Sequence, residues 1–151
     1  MKLRKRIFAA ALLATALFIL PGALAADLSE RMSVGVRAAN VRTGPGDSFD
    51  IAWQVELYHP FVVLERQGAW CRVKDFEGDQ GWISRTLLTV NKTVAVAKDN
   101  VLARLLPEAG SRVLFKSEKG TAFKELLRKG EWVKVRHGEG ETGWIHQSLL
   151  W

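Results

Sequence analysis

Gly68 to Leu88, GAWCRVKDFEGDQGWISRTLL, returns 62 residues later as Gly130 to Leu150, GEWVKVRHGEGETGWIHQSLL, and this return decides the fold. At that single offset, without gaps, residues 36–89 match residues 98–151 at 16 of 54 positions. The matches include Arg42/Arg104, Pro45/Pro107, Phe61/Phe123, Leu64/Leu126, Trp70/Trp132, Val73/Val135 and the triplets Gly81-Trp82-Ile83 and Gly143-Trp144-Ile145. The chain is one small unit built twice, and a fold argument must work for about 60 residues at a time.

Within a unit the period is two. In Trp70-Cys71-Arg72-Val73-Lys74, alternation places Cys71 and Val73 on one face and Trp70, Arg72 and Lys74 on the other. The second copy repeats the split, with Val133 and Val135 inward and Trp132, Lys134 and Arg136 outward. Working outward, Ile51–Glu56 and Phe61–Glu65 read as strands, rich in branched and aromatic residues. Tyr58-His59-Pro60 is the turn between them, since proline cannot sit inside a sheet. Asp75–Gln80 is a polar hairpin loop, Gly81-Trp82-Ile83 the strand after it, and Ser84-Arg85-Thr86 a single helical turn before Leu87-Leu88 closes the unit against its first strand. Val94–Ala97 can itself pair as a strand, which implies two units packed closely rather than tethered loosely. Ordered structure is expected to begin near Val34, after a lead-in arm. Core candidates are Phe61, Val73 and Trp82, with Phe123, Val135 and Trp144. Helical periodicity is absent after the leader, so the fold class is all-β: two small barrels in tandem.

The leader is different in kind. Lys2, Arg4, Lys5 and Arg6 precede an uncharged run from Ile7 to Leu20, then Pro21-Gly22 and the small residues Ala23-Leu24-Ala25. This is the pattern of a secretory signal peptide, which touches the membrane only in transit. The expected division is therefore 1–25 signal peptide, 26–90 first barrel and 91–151 second barrel. Formal charge is +6, but four of the 22 basic residues lie in the leader, leaving 18 against 16 acidic, or +2. That balance, outside the cytoplasm, argues against nucleic acid as a partner. Cys71 is the only cysteine, so no internal disulfide forms, and its repeat partner Val133 marks it as a small apolar residue.

The order NVRTGPG (40–46), GAWCRV (68–73) and GWISRTLL (81–88) resembles the bacterial SH3-like domain. The second copy keeps Arg104, Pro107, Lys119-Gly120-Thr121, Gly130-Glu131-Trp132 and Gly143-Trp144-Ile145, but replaces Gly-Pro-Gly with Leu106-Pro107-Glu108. The resemblance implies a five- to seven-stranded barrel found in exported proteins. It implies a targeting or binding role, toward peptidoglycan peptides or other envelope proteins, and does not imply an enzyme. It also implies that ligands lie between the long first loop, Gly44–Asp50, and the segment Arg66–Trp70.

Catalytic alternatives lack their residues. A nucleophilic cysteine needs exposure and a base in reach, and Cys71 points inward while His59, His137 and His146 are scattered. No histidine has metal-ligand spacing to a cysteine or carboxylate, Glu77 and Glu139 lie in separate loops, and no glycine-rich loop opens a helix. No catalytic residue, metal or cofactor is expected. The candidate ligand set is Asp47, Phe49, Asp50, Tyr58, Trp70, Arg72 and Trp132. Trp70 and Trp132 equally fit a covering role, over the barrel ends or between the barrels. Arg42 and Arg104 read as structural ion-pair residues. An alternative function is a periplasmic scaffold that binds one envelope protein through strand edges or Val94–Ala97.

Overall fold

The computed structural model describes residues 30–151. The leader assigned above lies outside these residues. Two antiparallel sheets account for the described chain. In the first barrel, β1 (Arg31–Val34), β2 (Ala38–Arg42), β3 (Ile51–Glu56), β4 (Pro60–Gln67), β5 (Trp70–Lys74), β6 (Gln80–Ser84) and β7 (Leu88–Thr89) join in the order β3-β2-β6-β5-β4-β1-β7. In the second, β8 (Thr93–Ala95), β9 (Val101–Arg104), β10 (Val113–Ser117), β11 (Ala122–Lys129), β12 (Trp132–Arg136) and β13 (Thr142–His146) follow the same path, β10-β9-β13-β12-β11-β8. The bridge Val96↔Leu150 stands where β7 closes the first barrel. A 3-10 turn precedes each closure, Arg85–Leu87 and Gln147–Leu149.

Order begins earlier than the sequence implied. Arg31–Val34 is a strand held between β4 and β7, with Met32 opposite Phe61 and Val34 opposite Leu88. The segment looked like an arm because it offers four residues and one clear alternation. Its second-copy counterpart, Thr93–Ala95, pairs with β11 in the same way.

Seven core positions correspond between the barrels at the repeat offset, while Val55 of the first core has Ser117 as its counterpart and Val94 of the second has Met32. Val34, Ala39, Val41, Phe61, Cys71, Val73 and Ile83 correspond to Val96, Val101, Ala103, Phe123, Val133, Val135 and Ile145. Ala39 and Val41 become Val101 and Ala103, a swap that keeps the summed volume and is the kind of change a packed core tolerates. Burying each Phe removes roughly 150–250 Å² from water, the largest single contribution in units this small.

Trp82 is not in its core, whereas Trp144 is buried as expected. Alternation along β6 and β13 turns Gly81 and Ile83, and Gly143 and Ile145, inward, so Trp82 is only half-buried and the core place belongs to the isoleucine. Trp144 is buried, but outside the apolar cluster. The glycine has its own reason. A Cβ on Gly81 would stand 2.5 Å from Val41 Cγ1 and 3.0 Å from the Trp53 ring; on Gly143 it would meet Ala103 and Phe115 at 2.9 and 3.1 Å. β4 and β11 carry a bulge at matching places, between Val63 and Glu65 and between Glu125 and Leu127. The bulge bends each long strand around its barrel and leaves Leu64 and Leu126 facing water.

The barrels touch through specific contacts. Trp151, after the last turn, faces Phe76 with ring centroids 6.5 Å apart and lies under the Arg31 guanidinium at 4.3 Å. Lys119 Nζ meets Glu77 Oε1 at 2.6 Å. Val94, Ala95 and Val96 are buried inside the second barrel, which removes that segment as a docking surface.

Candidate ligand grooves

Each groove is assembled from three devices that the repeat carries intact. The first is the arginine at the end of β2 or β9. Arg42 Nη1 donates to the Phe49 carbonyl at 2.8 Å and Arg104 Nη1 to the Ser111 carbonyl at 2.7 Å, matching positions that tie down the far limb of the long first loop. Arg42 also makes the expected ion pair, with Asp47 at 3.8 Å, but that side chain is 91% exposed and the contact is weak beside the carbonyl bond; Arg104 has the carbonyl bond and no ion pair among the described residues. The second device is the 3-10 turn, whose first N–H donates to the residue just before the tryptophan, Arg85 to Ala69 and Gln147 to Glu131, both at 2.8 Å. The third is the tryptophan, outward on β5 or β12.

Between these lies a cavity of about 310 Å³ in the first barrel, lined by Ala38, Ala39, Asn40, Arg42, Asp47, Gln54, Trp70, Ser84 and Leu87. In the second barrel a cavity of about 380 Å³ is lined by Asn100, Val101, Leu102, Arg104, Ala109, Trp132, His146 and Leu149, with Lys98 and Asp99 at its edge. At the 62-residue offset all but one of the first set recur in the second, Gln54 being the exception.

The frame is shared and the rim is not. Asn40 Oδ1 accepts from Gln54 Nε2 at 2.8 Å across the first groove, while its counterpart is Leu102. Asp47 becomes Ala109. Ser84, paired with Thr86 through hydroxyls 2.9 Å apart, becomes His146, whose ring meets Trp132 edge-on with centroids 5.4 Å apart and whose Nδ1 lies 2.8 Å from Ser148 Oγ. The first groove sets Asn40, Asp47 and Ser84 around its indole, whereas the second sets Leu102, Ala109 and His146 there, with Lys98, Asp99 and Asn100 along one side.

Of the residues singled out from sequence, Trp70 and Asp47 share the first groove and Trp132 lines the second. Phe49 folds back over Gly44 and Gly46, where a Cβ on Gly44 would stand 2.3 Å from its ring, so it shapes the loop beside the groove. The Asp50 carbonyl accepts from Thr43 N–H at 3.0 Å, holding the neck of that loop. Tyr58 lies away from the groove on the β3–β4 turn, with φ +73°, where the second copy has Gly120 at +89°. Arg72 also stands apart: its Nε is 3.0 Å from Glu65 Oε2, close enough for an ion pair but without hydrogen-bond alignment. Groove residues without a sequence signal are Asn40, Ser84 and Leu87 with their partners Leu102, His146 and Leu149; of these, cross-strand register from the tryptophans reaches Ser84 and His146, since Trp70 pairs with Ser84 and Trp132 with His146.

The titratable groups are accounted for locally. Cys71 is fully buried, and burial pushes its thiol above the ordinary value, as for a packing residue. Burial pushes His59 below its usual value, partly opposed by Asp75. The hairpin 137–141 brings His137, Glu139 and Glu141 together, with ligand-type atoms within 4.8 Å of one another, contrary to the expectation that the histidines lack carboxylate neighbours at ligand spacing. An ion-pair contact accounts for part of that cluster, His137 Nδ1 to Glu141 Oε2 at 3.4 Å.

Comparison with known proteins runs along the same lines. A Bacillus subtilis protein named as an N-acetylmuramoyl-L-alanine amidase, YrvJ, is 24% identical over 122 residues, which is 74% of this chain and 23% of that protein. A Staphylococcus epidermidis protein named as a cell wall amidase, LytH, is 42% identical over 48 residues, 31% of this chain and 16% of that one. The chain thus spans less than a quarter of the length of these relatives. Among solved structures, an NlpC/P60 family protein from Bacillus cereus aligns over 80% of this chain and 55% of its own, with 18% identity and a TM-score of 0.38. The bacterial SH3 domain model matches residues 35–89 and again 97–151, beginning in each barrel just after the first strand, and the chain belongs to that family, carrying the domain twice.

Proposed function

We propose that this protein is a non-catalytic binding protein of the bacterial cell envelope, exported to the periplasm or beyond, that holds peptidoglycan peptides in its Trp70 and Trp132 grooves. The observation that carries this reading is the rebuilding of one groove at the repeat offset, with arginine brace, 3-10 turn and tryptophan kept while the rim changes. A face of indole edged by Asp47 and Asn40 suits a short extended peptide with an amine. The relatives named as wall amidases share with this chain only a minor part of their length, as a wall-directed module within a larger enzyme would. The buried thiol of Cys71 favours holding over transforming.

A groove of this size binds in the micromolar to millimolar range, about −8 to −4 kcal/mol. Two grooves on one body gain roughly a hundredfold more where the ligand repeats, as in a wall polymer. The test is co-sedimentation with purified peptidoglycan. Trp70→Ala is expected to lower retention severalfold, and equal retention of the variant and the parent removes Trp70 from the site.

A further inference from the structure

A second place on the molecule has the makings of a site, and it lies between the barrels rather than on either one. A cleft of about 820 Å³ has as its floor Ala52 to Glu56, five consecutive residues of β3. Residues that point to opposite faces of a strand can line one cleft together only if the strand's backbone edge turns toward it. β3 is the end strand of its sheet, paired to β2 alone. The bond from Leu57 N–H to the Arg37 carbonyl sets the phase of that pairing. Val55 and Trp53 spend their backbone groups on β2, and those of Gln54 face the other way, without a backbone partner among the described residues.

The walls have a sign. Glu56, Asp75, Glu77 and Asp79 line the cleft against one lysine, Lys119, and burial pushes the His59 imidazole below its usual value. The cleft already seats one ammonium: Lys119 Nζ lies 2.6 Å from Glu77 Oε1 and 5.7 Å from the centre of the Phe76 ring. Glu56 and Asp79 remain exposed and without a basic partner among the described residues. An edge strand left bare is normally covered or charged, because it invites another strand. Here the charge is negative and set to one side, which leaves the edge open to a cationic segment and closed to an acidic one.

We infer that the inter-barrel cleft takes an extended peptide segment of a protein partner as an added strand on β3, with a basic side chain of that segment seated between Glu56 and Asp79. This site meets the first tryptophan groove only at Gln54, which lines both, and it stands whether or not the grooves bind peptidoglycan. It gives the protein a way to hold a protein and another ligand at once.

The probe is an acetylated, amidated pentapeptide of valine and threonine with one central lysine, titrated into the isotopically labelled full chain and followed by amide shifts. The expected result is movement of the Glu56 and Asp79 amides together with that of Gln54, which the cleft shares with the first groove, while Trp70 and Ser84 stay unmoved, and binding is at least about tenfold tighter than that of the same peptide carrying glutamate. N-methylation of the peptide backbone at the central residue is expected to abolish the shifts, because it removes the strand hydrogen bond. The surface variant Glu56→Lys with Asp79→Lys is expected to weaken binding about tenfold, and Trp70→Ala to leave it unchanged. Equal binding of the lysine and glutamate peptides, indifference to N-methylation, shifts centred on the Trp70 groove, or no shift at millimolar peptide would each overturn the proposal.

Discussion

The first groove and the second are the same object finished differently. Arg42 and Arg104 brace equivalent carbonyls, Trp70 and Trp132 present equivalent faces, and Leu87 and Leu149 close equivalent ends. Where the first has Asn40, Asp47 and Ser84, the second has Leu102, Ala109 and His146. The parts that hold shape are retained and the parts that would meet a ligand's polar groups are exchanged. Loss of Gly-Pro-Gly in the second copy therefore changes the loop's surface without removing the groove, because the arginine bond that fixes the loop goes to a backbone carbonyl, which any residue supplies.

The comparison breaks most easily in the core. Phe61→Ala and Phe123→Ala are each expected to cost about 3–5 kcal/mol in denaturant unfolding. The two costs should agree within about 1 kcal/mol if the barrels are packed as equivalently as their matched residues indicate. A large inequality would mean that the second copy has a looser core.

Next comes the loop brace. Arg42→Ala and Arg104→Ala each remove a charged donor from a loop carbonyl, at an expected cost of about 1.5–3 kcal/mol. Asp47→Ala should leave stability unchanged within error, since its carboxylate is almost fully in water. A destabilisation by Asp47→Ala equal to that of Arg42→Ala would make the ion pair, rather than the carbonyl bond, the brace.

The β3–β4 turn sharpens the comparison from another side. Tyr58 bears a left-handed backbone that its counterpart Gly120 adopts freely. Gly120→Ala is expected to cost about 1–2 kcal/mol. Tyr58→Gly should change stability by less than about 1 kcal/mol, relief of the backbone offsetting lost side-chain contact. Thermal unfolding of the two variants decides it.

The smallest effect is a slope with pH. Burial holds His59 below 6.5, so the unfolded chain binds a proton that the folded one refuses. Stability present above about pH 6.5 then declines as pH falls toward the lower folded value. The second barrel has Thr121 at this place and no such term. Urea midpoints between about pH 7.5 and 5 should fall less steeply for His59→Gln than for the parent; an unchanged slope removes His59 as the cause.

Much of the fold was legible because the repeat multiplies weak signals. A single Gly-x-Trp or Gly-Trp-Ile means little, but the same order twice at one offset leaves few alternatives to a duplicated β unit. Period-two alternation placed Trp70, Cys71 and Val73 correctly on their faces, yet the same rule was set aside for Trp82, where the bulk of the indole outweighed the parity of Gly81 and Ile83. β1 does not stand out as a strand in the sequence, because four residues hold too few alternations. The groove rims were reachable only by cross-strand register, which brings Ser84 beside Trp70. The inter-barrel cleft was not legible at all, since Glu56, Asp79 and Lys119 are joined by how two barrels meet rather than by any spacing along the chain.

The central claim is that one tryptophan groove exists twice and works twice. Calorimetric titration of soluble peptidoglycan stem peptides into the parent, Trp70→Ala, Trp132→Ala and the double variant tests it directly, with unfolding midpoints to confirm that each remains folded. The expected stoichiometry is two, dropping to one in either single variant and to none in the double. Stem peptides bound by the double variant as tightly, and in the same number, as by the parent would contradict it.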